Sequence, residues 1–258
     1  MTSLPLEGRI ALVTGGSRGI GKGIALRLAE AGADIAVNYR SAAGEAEETV
    51  AAIRAMGRRA EAYQATVDDY DTCAAMVDKV ATDFGGISIL INNAGIASRG
   101  HSVADTDPAE LERVLRVHAM GPHYMSKLCI PHLRANDRAD IIFISSVATL
   151  FHSPNGAPYS MGKAAAESLA LVLAKEEQRH GIRVNIVAPS LTVSDMGDRL
   201  AKATMGVKDI HDLDAKFSFG RVSTPDDVAS AVLWLVSDAN FYASGQKINI
   251  DGGGMPMR

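Results

Sequence analysis

The sequence predicts an α/β fold: a doubly wound parallel sheet of about seven strands, with helices on both faces. Three observations predict it. Short β-branched runs alternate with longer helical segments along the whole chain. The runs are apolar throughout, as in strands buried on both faces of a sheet. Finally, the first strand–helix junction is rich in glycine, which suits a backbone that must approach a phosphate closely.

Each element follows in order. Residues 9–14 predict the first strand, followed by a glycine turn and a helix over about 19–31, with Gly32 in a C-terminal cap position. Residues 34–38 are the second strand and about 44–56 the next helix, capped by Gly57. Residues 59–64 are a third strand, and 71–84 a helix that ends at Gly85-Gly86. Residues 89–92 form a buried strand. Pro108 opens a helix at a first-turn position that tolerates proline; its pattern runs toward Leu133 with a break expected near Gly121-Pro122. A strand at 141–145, a long helix from Tyr159 to about 179 stopped by Gly181, and a strand at 183–188 come next. A helix at 225–237 and a strand at 247–250 complete the pattern, which is Rossmann-like.

Composition bounds the function. The 258 residues suit one domain, 1–258, in which the long stretch at about 190–220 has the mixed composition of a mobile lid. The net charge of −4, with both signs interspersed, offers no field to attract nucleic acid or an anionic membrane. No apolar stretch is long enough to span a bilayer, and residues 1–8, with no basic region followed by an apolar run, are not expected to be a signal peptide. Cys73 and Cys129 form no Cys-x-x-Cys and are expected to be reduced thiols. No His/Cys/Asp/Glu spacing suggests a metal site. A cytoplasmic protein acting on a small molecule is the expectation.

The glycine turn reads Thr14-Gly15-Gly16-Ser17-Arg18-Gly19-Ile20-Gly21. Strand, turn and helix N-terminus together make an anion site, because free N–H groups and the helix dipole both favour a pyrophosphate. A ligand-free tight turn is the alternative. At the end of the second strand, NAD sites usually carry an acid for the ribose hydroxyls. Here stand Asn38-Tyr39-Arg40-Ser41, with no acid. Arg18 and Arg40 are expected to converge on a 2′-phosphate, so NADP is predicted over NAD.

Tyr159 and Lys163 lie four apart at a helix start and so share a face. Ser145-Ser146 ends the preceding strand. An ammonium near a phenol favours the phenolate, so Lys163 is expected to lower the Tyr159 pKa. Tyr159 then exchanges a proton with a substrate oxygen that Ser146 holds, and the hydride comes from a nicotinamide.

These motifs resemble the short-chain dehydrogenase/reductase family over nearly the whole chain. Thr14 to Gly21 matches its cofactor turn, Asn92-Asn93-Ala94-Gly95 its signature after the fourth strand, and Ser146, Tyr159 and Lys163 its catalytic residues. Arg183-Val184-Asn185, Pro189, Gly245-Gln246 and Asp251-Gly252-Gly253 match its later strands and loops. The overall likeness is greatest to 3-oxoacyl-[acyl-carrier-protein] reductases; sugar, steroid and small-ketone dehydrogenases share the motifs. The resemblance implies that Lys163 also binds the nicotinamide ribose. It implies that backbone at Asn93, Ala94 and Gly95 borders the adenosine side, and that Thr192 backbone and Ser194 reach the carboxamide. It also implies a homotetramer built on helices such as that from Tyr159.

Three positions depart from the family pattern. His118 stands where the catalytic asparagine aligns, Thr66 (before Val67) where an adenine-contacting acid aligns, and Ser190 replaces the glycine after Pro189. A histidine both donates and accepts, so His118 is counted with the catalytic residues. The same substitution motivates an alternative, an NADP-binding sensor or scaffold with weak turnover. Substrate contacts are expected from 96–101, 149–155 and 191–219, with Phe151, Met196, Met205 and Phe217 as apolar lining and His101 and His152 as polar lining.

Overall fold

A computed structural model describes residues 4–254. Among them, seven strands run as β1 (Ile10–Val13), β2 (Asp34–Tyr39), β3 (Ala60–Gln64), β4 (Ile89–Asn92), β5 (Ala139–Ile144), β6 (Ile182–Pro189) and β7 (Lys247–Ile250). They form one parallel sheet in the order β3-β2-β1-β4-β5-β6-β7. Leu12 is paired with Ala36 on one side and Leu90 on the other. Strand order therefore reverses between β1 and β4, and a crevice opens there at the carboxyl ends.

Successive strand residues face opposite sides of the sheet. Ala11, Val13, Ile89 and Ile91 pack into one core layer with α1 (Gly19–Glu30), α2 (Ala43–Ala55) and the helix Pro225–Val236. Leu12 and Leu90 face the other layer, built with α3 (Tyr70–Phe84) and the helices Gly121–Leu133 and Ala157–Glu176. Each fully buried large apolar side chain contributes about 1.5–3 kcal/mol, so two such layers supply the main stabilisation. The two cysteines, 56 positions apart in sequence, share this second layer as free, buried thiols. Burial pushes the Cys73 thiol up to about 12 and raises that of Cys129 as well, which leaves both unreactive.

The expected break near Gly121-Pro122 does not occur. Instead α4 (Pro108–Leu115) runs through a π-helical turn, Arg116–Met120, directly into α5 (Gly121–Leu133). The Gly121 N–H bonds the Arg116 carbonyl, five residues back. The widened turn precedes a proline that has no N–H to donate. A Cβ on Gly121 would lie 3.0 Å from the Val67 carbonyl, so glycine permits the close approach. His118 lies within this turn.

After β5 comes a short helix, α6 (Ala148–Phe151), and then α7 (Ala157–Glu176). The segment expected to be lid contains α8 (Asp195–Met205) and a 3-10 stretch, Ile210–Lys216; Ala201, Ile210, Leu213 and Val222 form a small core of their own. A capping box of Thr224 and Asp227 starts α9 (Pro225–Val236). At the amino ends of the strands, buried Asp140 receives Arg9 at 2.9 Å and Arg183 at 2.5 Å. Among the described residues, no helix is long and apolar enough to cross a membrane, and no three His/Cys/Asp/Glu side chains cluster as metal ligands.

Candidate active site

The glycine turn is held from three sides. Gly15 and Gly19 have φ of 62° and 54°, in the left-handed region where glycine carries no steric penalty. A Cβ on Gly21 would lie 2.2 Å from the Gly15 carbonyl oxygen, so only glycine lets α1 start against the turn. Arg18 sits at the N-cap of α1 without a side-chain cap, which keeps the first-turn N–H groups for an anion. Ser17 is buried, and its carbonyl accepts from Thr49 at 3.1 Å. Ile20 packs against the first core layer.

Two buried polar residues with no role assigned from the sequence complete this frame. Thr14 donates to the Ile91 carbonyl at 3.0 Å and accepts from the N–H groups of Asn93 and Ala94 at 2.9 and 3.0 Å. Asn38 accepts from the Gly15 N–H at 3.2 Å and donates to the Ala65 carbonyl at 3.0 Å. Asn93 returns the tie, donating from its side chain to the Thr14 carbonyl at 2.8 Å. Val67 and Ala94 line a small recess with Thr14, Asn92 and Met125. Thr66 donates its hydroxyl to the Asp68 carboxylate.

Arg18 meets Asp195 of α8 at 3.2 Å, because that acid lies in the first turn of the helix facing the glycine turn. Both side chains are more than half exposed, so the bridge contributes at most about 1 kcal/mol. Tyr39 is half-buried, while Arg40 and Ser41 are exposed at the end of β2.

Three of the four catalytic candidates, Ser146, Tyr159 and Lys163, come together at the end of β5. Ser146 follows β5, and its hydroxyl accepts from the Ala148 N–H at 3.2 Å. Pro189, at the end of β6, accepts from the Val147 N–H at 3.1 Å and ties this turn to the sheet. Tyr159 lies in the first turn of α7. Lys163, one turn on, donates to the Ile144 carbonyl at 2.6 Å, with its ammonium 5.8 Å from the Tyr159 ring centre. Burial lowers the Lys163 pKa to about 8, against the opposing charge of Glu167. The expectation of a lowered tyrosine pKa is corrected. Desolvation raises the phenol above its ordinary value, and the neighbouring Ser146 hydroxyl only partly opposes this. Tyr159 is therefore protonated at neutral pH, the state that donates a proton to a carbonyl oxygen.

His118 is buried, with its ring 5.1 Å from that of Tyr159 and nearly perpendicular to it. Two glycines make its slot: a Cβ on Gly95 would lie 2.7 Å from His118 Cε1, and one on Gly162 would lie 2.7 Å from His118 Cβ. Its Nε2 lies 2.7 Å from the Ile96 carbonyl and 3.1 Å from the Ile96 N–H. The shorter contact favours a proton on Nε2, the tautomer that leaves Nδ1 as an acceptor, and Nδ1 has no partner among the described residues. Burial, with the Lys163 charge nearby, lowers the imidazole pKa to about 3.

Beyond β6, Thr192 is buried. Ser194 caps α8, accepting from the Gly197 N–H and donating to the Thr192 carbonyl, both at 3.1 Å. Its single proton is thus engaged by the Thr192 carbonyl. Phe151 and Met205 are exposed, Met196 is half-buried, and Phe217 packs on the lid's own core. His101 and His152 are exposed.

A family described as enoyl-(acyl carrier protein) reductase matches residues 15–254. The chain is 36% identical to a versicolorin reductase of Emericella nidulans, over 96% of each chain. It is also 36% identical to a 3-oxoacyl-[acyl-carrier-protein] reductase of Staphylococcus aureus, over 94% of this chain and 96% of that one. The crystal structure of a short chain dehydrogenase from Burkholderia cenocepacia, in complex with NADP, superposes with a TM-score of 0.87 at 36% identity, covering 96% of this chain and 98% of the other.

Proposed function

The chain belongs to the short-chain dehydrogenase/reductase family, and we propose that it is an NADP(H)-dependent reductase of a carbonyl group, with Tyr159 as its general acid. The observation that carries the reading is the convergence of Ser146, protonated Tyr159 and Lys163 at the carboxyl end of β5, beside the crevice. The uncapped start of α1, Gly15, Gly19 and Gly21 hold the pyrophosphate. Arg40, joined by Arg18 when it leaves Asp195, receives the 2′-phosphate, while Ser17, Ile20, Tyr39 and Ser41 line that end. Thr66, Val67, Asn93, Ala94 and Gly95 border the adenosine. Pro189, Thr192 and Ser194 border the carboxamide. A complex of the Burkholderia relative with NADP supports this choice of nucleotide.

When bound, a reduced nicotinamide would supply the hydride for the carbonyl carbon. The chain's own groups manage the oxygen. Ser146 accepts from the Ala148 N–H, so its own proton is free to point at the substrate oxygen. Tyr159 delivers the second hydrogen as a proton. Lys163 holds the ribose and stabilises the phenolate that remains. His118 fixes Ile96 through Nε2 and presents its bare Nδ1 as the acceptor for a relay water. The substrate is a 3-oxoacyl thioester or another ketone, admitted past a lid at about 190–220. The protein acts in the cytoplasm as a homotetramer, in which exposed Met161, Leu171 and Val172 of α7 meet another copy.

Turnover of NADPH against a panel of carbonyl compounds, including a 3-oxoacyl thioester, tests the reading. Tyr159→Phe is expected to lower kcat by about 10²–10⁴-fold while NADPH still binds. NADPH binding without turnover on any carbonyl would instead support a sensor or scaffold, the reading that His118 motivates. Sedimentation as a stable monomer would refute the tetramer.

A further inference from the structure

Glu167 lies on α7 one turn after Lys163 and two after Tyr159, on the same face. Its carboxylate accepts from the Ser145 hydroxyl at 2.5 Å and the Thr149 hydroxyl at 2.8 Å. Lys247, the first residue of β7, meets it at 2.8 Å and also donates to the Thr149 hydroxyl at 2.6 Å. Thr149 in turn lies 2.9 Å from the Ser146 carbonyl. Both charged side chains are mostly buried, at 16% and 21% exposure. The pair therefore grips the turn on both sides of Ser146: Ser145 before it, Thr149 after it. Lys163 and Tyr159 share the same helix, so the grip fixes the turn relative to the two groups with which Ser146 must act.

We propose that Glu167, with Lys247 as its counter-ion, is a positioning residue that holds the Ser145–Thr149 turn and so aims the Ser146 hydroxyl at the oxygen Tyr159 protonates. The proposal rests on the carbonyl-reductase reading for its kinetic consequence, but the ordering of the turn stands apart from it. A residue that only stabilised the fold would lower the yield of folded enzyme. A positioning residue lowers kcat in the folded enzyme and leaves nucleotide binding alone.

The test compares Glu167→Gln, Lys247→Met and the double variant with the wild type, reading kcat, NADPH Kd and hydrogen exchange of the backbone amides at 147–151. The expected result is a fall in kcat of about tenfold or more in each single variant, the size of about 1.4 kcal/mol of lost transition-state stabilisation. NADPH Kd stays within about twofold, and the amides at 147–151 exchange about tenfold faster, the same energy read as opening of the turn. The double variant is expected to be no worse than the singles, because the two residues act as a unit. A kcat and an exchange rate within twofold of wild type in the folded variants would overturn the proposal, as would strictly multiplicative effects. If Glu167→Gln does not fold, Lys247→Met decides alone by the same readouts. If the wild type turns over no carbonyl, the reductase reading fails, and the exchange rates still decide whether the pair holds the turn.

Discussion

Replacing His118 with asparagine is expected to flatten the acid limb of the stability curve. The imidazole is 2% exposed, and desolvation, aided by the Lys163 charge, lowers its pKa to about 3. The same group in the unfolded chain titrates near 6.5. Below pH 6.5 the unfolded state therefore binds a proton that the folded state refuses. The stability tied to His118 is complete above about pH 6.5 and is lost as pH falls toward 3. Each pH unit in that window costs about 1.4 kcal/mol, so the wild type loses about 2 kcal/mol between pH 7 and pH 5 from this residue alone. Lys163, lowered to about 8, is protonated in both states across most of that interval and adds little slope. Urea unfolding of the wild type and the His118→Asn variant at pH 7, 6 and 5, at fixed ionic strength, reads the difference. The two stabilities need not agree at pH 7, since the smaller side chain leaves space beside Gly95 and Gly162. Only the slopes matter. Parallel slopes would refute the reasoning, for they would mean that the imidazole takes up its proton in the folded state as readily as in water.

Three further outcomes are expected. Gly21→Ala drives a methyl group into the Gly15 carbonyl, so fluorescence titration should show NADPH binding weakened about tenfold or more; unchanged affinity would mean that the turn is not the phosphate cradle. Arg40→Ala should weaken NADPH by about 10- to 100-fold, the loss of a charge-assisted contact of about 1.5–3 kcal/mol, and leave NADH unchanged; equal effects on both nucleotides would remove Arg40 from the 2′-phosphate. Asp140→Asn leaves the buried side of Arg183 without its carboxylate and should cost about 3–5 kcal/mol in denaturant unfolding. Because Asp140 lies at the amino end of β5, opposite the crevice, kcat per folded molecule should be unchanged.

What was legible in the sequence was whatever has a local signature. The inner strands β1, β2, β4, β5 and β6 announced themselves as largely apolar runs, because a strand buried on both faces has little polar side to show, whereas the edge strands β3 and β7 are only partly buried. Gly15, Gly19 and Gly21 were legible because a turn with φ near +60° and a backbone contact at 2.2 Å admits nothing larger. The Gly121-Pro122 pair was read as a break because proline usually ends a helix. A π turn satisfies the same constraint by shifting the bond five residues back, and nothing local distinguishes the two solutions. The Tyr159 pKa was misjudged for a related reason. Spacing shows that Lys163 shares its face, but the sign of the shift depends on how much water each group loses and on what holds the ammonium, here the Ile144 carbonyl.

The residues that had no role of their own in the sequence reading are polar side chains whose partners lie elsewhere in the fold. Thr14 and Asn38 are single polar side chains at the ends of apolar runs, where burial forces each to satisfy its hydrogen bonds on backbone from neighbouring strands. Such a residue is visible in principle as a polar interruption in an otherwise apolar strand. Glu167 and Lys247 offer less. They are 80 positions apart, each an ordinary charged residue in its own segment, and only the placement of β7 beside β6 brings them to the same turn. A catalytic motif can therefore be complete in sequence while the groups that hold it in place come from strands whose order the local pattern does not encode. The aim of Ser146 depends on β7 as much as on the strand that carries it, and a change at Lys247 should be felt at Tyr159 without touching any residue of the motif.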